Sequence, residues 1–92
     1  MKRYYIVYEG QVQGVGFRGT MISLARKYNL TGYVRNLLNG KVEVEVQGED
    51  IDPFLKDSLS DRYFIKVSNY SIKQIPTVDD EKQFIVRFGN DT

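Results

Sequence analysis

The segment from Gln13 to Gly19, QGVGFRG, contains residue types that can bind a phosphate group. Its three glycines allow the backbone to close around a ligand, and it lies between a stretch typical of a strand and one typical of a helix. Backbone N–H groups at a helix start have no partner within the helix, and the helix dipole favours negative charge there. Arg18 adds a planar guanidinium that can bind two phosphate oxygens. We therefore predict a phosphate-binding loop formed by the Arg18 side chain and by the backbone N–H groups of Gln13, Gly14, Val15, Gly16, Phe17 and Arg18.

Other interpretations of this loop are weaker. Gly14, Gly16 and Gly19 match the G-x-G-x-x-G pattern of dinucleotide-binding proteins. That fold needs parallel neighbouring strands and an acidic residue roughly 20 positions further on, whereas this chain has Arg35 and Asn36 there and then turns back. A Walker A loop is excluded because no Gly-Lys-Ser/Thr follows. A simple glycine turn with a solvated Arg18 remains the structural alternative.

Composition limits the possible functions. The 92 residues, 41% of them hydrophobic and 27% charged, predict one globular domain spanning residues 1–92. Thirteen basic and twelve acidic residues give a net charge of +1, so no overall field attracts nucleic acid or a membrane. The chain has no cysteine and no histidine, which excludes a thiolate nucleophile, a histidine base and the usual zinc sites. No segment approaches the roughly 18 apolar residues of a membrane span, and we expect a cytoplasmic protein.

The first half of the chain predicts a strand, a helix and a hairpin. Residues 4–9 are rich in aromatic and β-branched residues at both odd and even positions, as in a central strand covered on both faces. From Phe17 the apolar residues follow a helical period, and Asn29 can end that helix in the left-handed conformation. Residues 30–37 and 41–47 then form antiparallel strands around Asn39-Gly40, both of which tolerate positive φ.

The second half predicts a helix over residues 51–59, with Asp50 as its cap, and strands over 63–75 and 83–88. In the strand over 63–75 the apolar residues switch from odd to even positions, which indicates a bulge near Ser68 and Asn69. The order β-α-β-β-α-β with a short terminal strand predicts an α+β fold, a ferredoxin-like split βαβ sandwich with an antiparallel-rich sheet and two helices on one face. In that fold the first two strands run parallel, so Arg18 and Asn36 should lie at one edge of the sheet. Arg35 faces the other side and is assigned a structural role.

Two segments resemble the signature stretches of the acylphosphatases. They are G-x-V-Q-G-V-G-F-R, here Gly10 to Arg18, and T-G-Y-V-R-N-x-x-N-G-x-V-E, here Thr31 to Glu43. Length and element order also agree, so the resemblance covers essentially the whole chain. The chain departs from the usual pattern in five places, which bear on stability more than on catalysis: Asn29, Tyr33, Asn39, Gly19 and the segment Asp61-Arg62-Tyr63.

The resemblance implies an enzyme that hydrolyses small acyl phosphates to a carboxylate and inorganic phosphate, the phosphate also acting as inhibitor. It implies a monomer that needs neither metal nor cofactor. Arg18 and the loop amides, Val15 among them, would bind the phosphoryl group, and Asn36 would orient the attacking water. Such chemistry is feasible without a base, because phosphoryl transfer through a loose transition state depends mainly on positioning and electrostatics. The carboxylate leaving group, whose acid has a pKa of about 4, needs no protonation.

Two rival functions fit parts of this sequence. RNA-binding modules share this element order and stack bases on aromatic residues of their central strands, for which Tyr4, Tyr5 and Tyr8 are candidates. The predicted third strand has no aromatic residue and two glutamates, so we expect no nucleic-acid partner. The second rival is a non-catalytic phosphate-binding relative, like the acylphosphatase-like domain of larger carbamoyl-transferring maturation factors. The short chain favours the free-standing enzyme.

Overall fold

The computed structural model describes residues 1–89 as a five-stranded sheet with two helices. Along the chain the elements are β1 (Lys2–Gln11), α1 (Phe17–Lys27), β2 (Thr31–Asn36), β3 (Val42–Gly48), α2 (Asp52–Ser58), β4 (Lys66–Ile75) and β5 (Phe84–Val86). The sheet order is β4-β1-β3-β2-β5, antiparallel throughout except for the parallel pair β2 and β5. The predicted element order and the ferredoxin-like α+β fold are confirmed.

One face of the sheet carries the apolar core and both helices. Ile6 lies opposite Val44, which lies opposite Val34, so these buried side chains share a face. The same core contains Met21 of α1 and Phe54 of α2, both fully buried. The alternating valines of β3 therefore supply the layer on which the two helices pack.

The other face of the sheet is covered by polar side chains and a loop, so β1 is a central strand covered on both faces, as the sequence predicts, and the layer on this second face is polar. Arg3 is only 2% exposed. Its guanidinium donates to Glu45 and to Glu81 at 2.8 Å each. Gln47 holds the loop before β5 by accepting from the Val78 N–H at 2.9 Å and donating to the Val78 carbonyl at 3.0 Å. Buried charges are tolerated here because each has a partner.

The end of α1 agrees with the prediction. Asn29 has a φ of 56°, the left-handed conformation. The N–H of Leu30 donates to the Ala25 carbonyl at 2.8 Å, and the N–H of Asn29 donates to Arg26 at 3.2 Å. This pair of bonds satisfies carbonyls that the helix end leaves without partners.

The β2–β3 turn and the start of α2 each differ in detail from the prediction. In the β2–β3 hairpin only Gly40 has a positive φ, 88°, because the turn over residues 37–40 is closed by a bond from the Gly40 N–H to the Leu37 carbonyl. Asn39 instead accepts from the Lys41 N–H through its side chain. At α2 the residue before the helix is Ile51, and Asp50 accepts from the Asp52 N–H at 3.0 Å from one position further out.

The fourth strand begins later than predicted but contains the predicted bulge. Tyr63 and Phe64 lie in a turn closed by a bridge between Arg62 and Ile65. Glu9 pairs with Asn69 and Gly10 with Val67, so Ser68 is the extra residue. Within residues 1–89, no helix is long and apolar enough to cross a membrane.

Candidate active site

Three strands end at the same edge of the sheet and border a cleft. β1 and β2 are both antiparallel to the strand between them, and β5 is parallel to β2, so all three point the same way. The cleft has a volume of about 290 Å³. Its lining residues come from the loop after β1, from the first turns of α1 and from the ends of β2 and β5: Val12, Gly14, Gly16, Phe17, Arg18, Gly19, Ile22, Asn36, Val86 and Phe88.

The loop between β1 and α1 has the backbone shape of an anion-binding turn. Gly14 has a φ of 73° and Gly16 a φ of 84°, and Val15 between them has a negative φ. A Cβ at either glycine would meet no atom within 4 Å, so glycine is required for its conformation and not for lack of space. Within the described residues, no backbone N–H of residues 13–19 donates to a protein acceptor. Such a run of unpaired donors, bent by left-handed residues, forms a concavity suited to an anion.

The start of α1 is held rigidly beneath this loop. Phe17 is 1% exposed, and its ring meets that of Tyr8 edge-on at 5.0 Å. The Tyr8 hydroxyl lies 2.7 Å from the Ser58 hydroxyl, which donates to the Leu55 carbonyl at 2.8 Å. The helix start is therefore tied to both β1 and α2, and the loop N–H groups are oriented before any ligand arrives.

Arg18 lies in the first turn of α1, and its half-buried side chain lines the cleft. Its guanidinium carbon is 5.7 Å from the centre of the Phe88 ring, a cation–π contact. Among the described lining residues Arg18 is the only one that carries a charge, so the cleft attracts anions. Phe88 is 78% exposed and was not predicted as a site residue.

Asn36 is the last residue of β2 and lines the cleft together with Arg18. Its side-chain oxygen is buried and, among residues 1–89, accepts no hydrogen bond. An unsatisfied buried acceptor is unfavourable, and a donor bound in the cleft would relieve it. Arg35 points to the opposite face, where it forms an ion pair with Glu43, as expected for a structural residue.

Two of the predicted loop residues are not part of the cleft lining. Val15 is half-buried and packs against the core. The Gln13 side chain turns away from the cleft, and its amide donates to the carbonyls of Leu37 and Lys41 at 2.8 Å each. These contacts concern the side chains, and the N–H groups of both residues remain without protein acceptors.

Two larger concavities lie elsewhere on the molecule. One, of about 520 Å³, is bordered by Arg26, Asn29 and Lys82 at the far end of α1. The other, of about 510 Å³, lies on the polar face of the sheet beside Glu9 and Glu43. Neither lies at the start of a helix, where N–H groups lack helical partners, so the smaller cleft is the better candidate active site despite its size.

Comparisons with known proteins give the family of the chain. The family model described as Acylphosphatase matches residues 4–86. An acylphosphatase of Clostridium beijerinckii is 40% identical over 90 residues, which cover 96% of this chain and all of the relative. The crystal structure of acylphosphatase from Bacillus subtilis superposes with a TM-score of 0.90 at 30% identity, covering 96% of this chain and all of that chain. The crystal structure of T. kodakarensis HypF matches with a TM-score of 0.83 at 34% identity, but only 12% of that chain is covered.

The match to the family model extends over almost the whole sheet and both helices, and the relatives at this level of identity are aligned along nearly their full length. The chain therefore belongs to the acylphosphatase family, whose members are enzymes that hydrolyse acyl phosphates.

Proposed function

We propose that this chain hydrolyses small acyl phosphates in the cleft bordered by Arg18 and Asn36, without a metal ion or cofactor. The phosphoryl group is bound by the Arg18 guanidinium and by the N–H groups of residues 13–18. The observation that carries this proposal is the convergence of unpaired backbone donors, a single guanidinium and an unsatisfied carboxamide on one cleft.

Binding in this cleft stabilises the charge that builds up on the phosphoryl oxygens. In a loose transition state that charge lies on the three equatorial oxygens. Fixed N–H donors and a guanidinium interact with it more strongly than water does, because they need no reorganisation during the reaction. They supply the electrostatic stabilisation that other phosphoryl-transfer enzymes obtain from Mg²⁺.

Asn36 orients the attacking water. Its side-chain oxygen accepts a hydrogen bond from the water and directs the water oxygen towards phosphorus. The new P–O bond forms as the bond to the acyl oxygen breaks, the carboxylate leaves as an anion, and the proton of the water passes to the inorganic phosphate. A neutral amide suffices because the transition state demands positioning more than nucleophilicity.

The apolar side of the cleft is suited to the acyl group. Ile22, Val86 and Phe88 border it beside Arg18. With the phosphoryl group in the loop, the acyl group extends over these side chains, and the cleft volume of about 290 Å³ favours small acyl phosphates over large ones.

Hydrolysis of benzoyl phosphate in excess EDTA tests the proposal. Purified protein should release benzoate and phosphate at a rate that EDTA does not change, and inorganic phosphate should inhibit competitively. A rate that depends on added Mg²⁺ would contradict the metal-independent mechanism.

A non-catalytic phosphate-binding role is the second candidate, because the chain also matches 12% of full-length HypF, which has been solved in a phosphate- and nucleotide-bound form. The same assay separates the two: a non-catalytic protein binds phosphate but does not release benzoate. We further propose that the chain acts as a cytoplasmic monomer. Light scattering of the purified protein tests the oligomeric state.

A further inference from the structure

The side chain of Gln13 connects the phosphate-binding loop to the β2–β3 hairpin. Its amide nitrogen donates to the Leu37 carbonyl and to the Lys41 carbonyl, both at 2.8 Å. The partners are 24 and 28 residues away in sequence, so these bonds join separate parts of the fold. Together the two bonds use both hydrogens of the Gln13 amide.

The two carbonyls that Gln13 contacts close the hairpin turn. The Leu37 N–H donates to the Lys41 carbonyl at 2.9 Å, and the Gly40 N–H donates to the Leu37 carbonyl at 3.2 Å. Each carbonyl therefore accepts one bond from the turn and a second from Gln13. The amide of Gln13 is fastened to the pair of residues that defines the geometry of the turn.

Asn36 immediately precedes this pair. Its side-chain oxygen has no partner among the described residues, so no protein hydrogen bond to that oxygen sets its orientation. The position of the carboxamide then depends on the backbone on either side. On one side that backbone is β2, paired to β3, and on the other it is Leu37, whose carbonyl Gln13 holds.

We propose that Gln13 is a positioning residue that sets the distance between the phosphoryl group in the loop and the water held by Asn36. The proposal rests on the proposed function and adds a residue to it. Gln13 acts through its side chain, which does not border the cleft, and not by touching the substrate. A misplacement of about 1 Å between reacting groups is enough to lower a rate by about 100-fold.

The kinetic test replaces Gln13 with methionine, which has a similar length but cannot donate. The turnover number kcat for benzoyl phosphate should fall by at least about tenfold, while the inhibition constant of phosphate changes by less than about threefold. In an Asn36→Ala background, Gln13→Met should lower kcat by less than about twofold, because the group that it positions is gone. Gln11→Met is the matched control, since Gln11 is exposed at the end of β1, and it should leave kcat unchanged.

Any other pattern overturns the proposal. A smaller loss of kcat, a larger change in phosphate inhibition, or the full loss in the Asn36→Ala background would each show that Gln13 does not act on the water site. If the Gln13→Met protein does not fold, Gln13→Asn is tested under the same criteria. The asparagine side chain is one methylene shorter than glutamine, so its amide cannot reach both carbonyls.

A measurement on the unmutated protein separates this proposal from the proposed function. In ¹⁵N NMR spectra, the side-chain amide protons of Gln13 should exchange with water at least about tenfold more slowly than those of Gln11. Equal exchange rates would show that the contact is absent in solution, whether or not the protein hydrolyses acyl phosphates. Slow exchange in a protein without hydrolase activity would leave the contact intact and contradict only the proposed function.

Discussion

Replacing Arg18 with alanine removes the only charged side chain that lines the cleft among the described residues. Loss of one preorganised donor to a developing oxyanion lowers kcat by roughly 10² to 10³. A guanidinium offers two N–H groups and a full charge, so we expect the upper end. A factor of about 10³ corresponds to about 4 kcal/mol of transition-state stabilisation. Its protein contact is with the exposed Phe88 ring, so the free energy of unfolding should fall by no more than about 1 kcal/mol.

The assay is the hydrolysis of benzoyl phosphate, with the inhibition constant of phosphate measured in parallel. Arg26→Ala is the matched control, because Arg26 lies exposed near the end of the same helix, and it should retain full activity. Arg18→Lys keeps the charge but loses the planar pair of donors, and it should recover only part of the rate. If Arg18→Ala kept more than about a tenth of the wild-type kcat, the assignment of Arg18 to the phosphoryl group would be wrong.

Three further results are expected. Asn36→Ala should lower kcat by at least about tenfold with little change in phosphate inhibition, and a loss of phosphate binding instead would mean that its role is misassigned. Gly32→Ala should lower the free energy of unfolding by at least about 3 kcal/mol, since a Cβ there would lie 1.9 Å from the Glu45 carbonyl oxygen. At Gly40 a Cβ would meet no atom, so Gly40→Ala should lower the free energy of unfolding by only about 1 to 2 kcal/mol, through backbone strain. Equal losses in urea denaturation would contradict this. Burial would raise the pKa of Glu81, but hydrogen bonds from Arg3 and Thr31 outweigh it and hold the pKa below the ordinary value of 4.5. The ionised Glu81 therefore stabilises the fold above about pH 4.5, and this contribution is lost as pH falls through the lowered pKa. Glu81→Gln should flatten the acid limb of a plot of unfolding free energy against pH, and an unchanged limb would contradict the assignment.

The backbone shape of the loop between β1 and α1 could be predicted from sequence because its geometry is local. Two glycines beside a helix start dictate a backbone of unpaired N–H groups whatever the rest of the chain does. The position of Arg18 and Asn36 at one edge of the sheet is not local, but it follows from element order. Arg18 comes shortly after the end of β1, Asn36 ends β2, and these two strands run in the same direction. Neither inference needed the exact ends of the elements.

What could not be predicted depends on contacts between distant side chains. The amide of Gln13 spans 24 residues to reach Leu37, and the spacing along the sequence gives no sign of it. Phe88 enters the cleft only because β5 adds to the sheet beside β2. A signal was available in the predicted terminal strand, since Phe88 is its last residue and a strand end of that direction lies at the edge that holds Arg18.

The polar character of the second face of the sheet could not be predicted for a related reason. The aromatic and β-branched residues of the first strand predict cover on both faces but not the chemistry of each layer. In the structure Tyr5 donates to Glu43, and burial together with that carboxylate raises the pKa of Tyr5 to about 12. Tyrosines and arginines of β1 and β2 bind the glutamates of β3 there, and periodicity alone cannot distinguish such a polar layer from an apolar one.

The most direct test of the phosphate-binding loop is a titration of ¹⁵N-labelled protein with inorganic phosphate, followed by NMR. The N–H signals of residues 13–18 and the side-chain Nε–H of Arg18 should shift together and saturate with one dissociation constant. Shifts confined to the concavity beside Arg26 and Lys82, with the loop signals unchanged, would contradict the account.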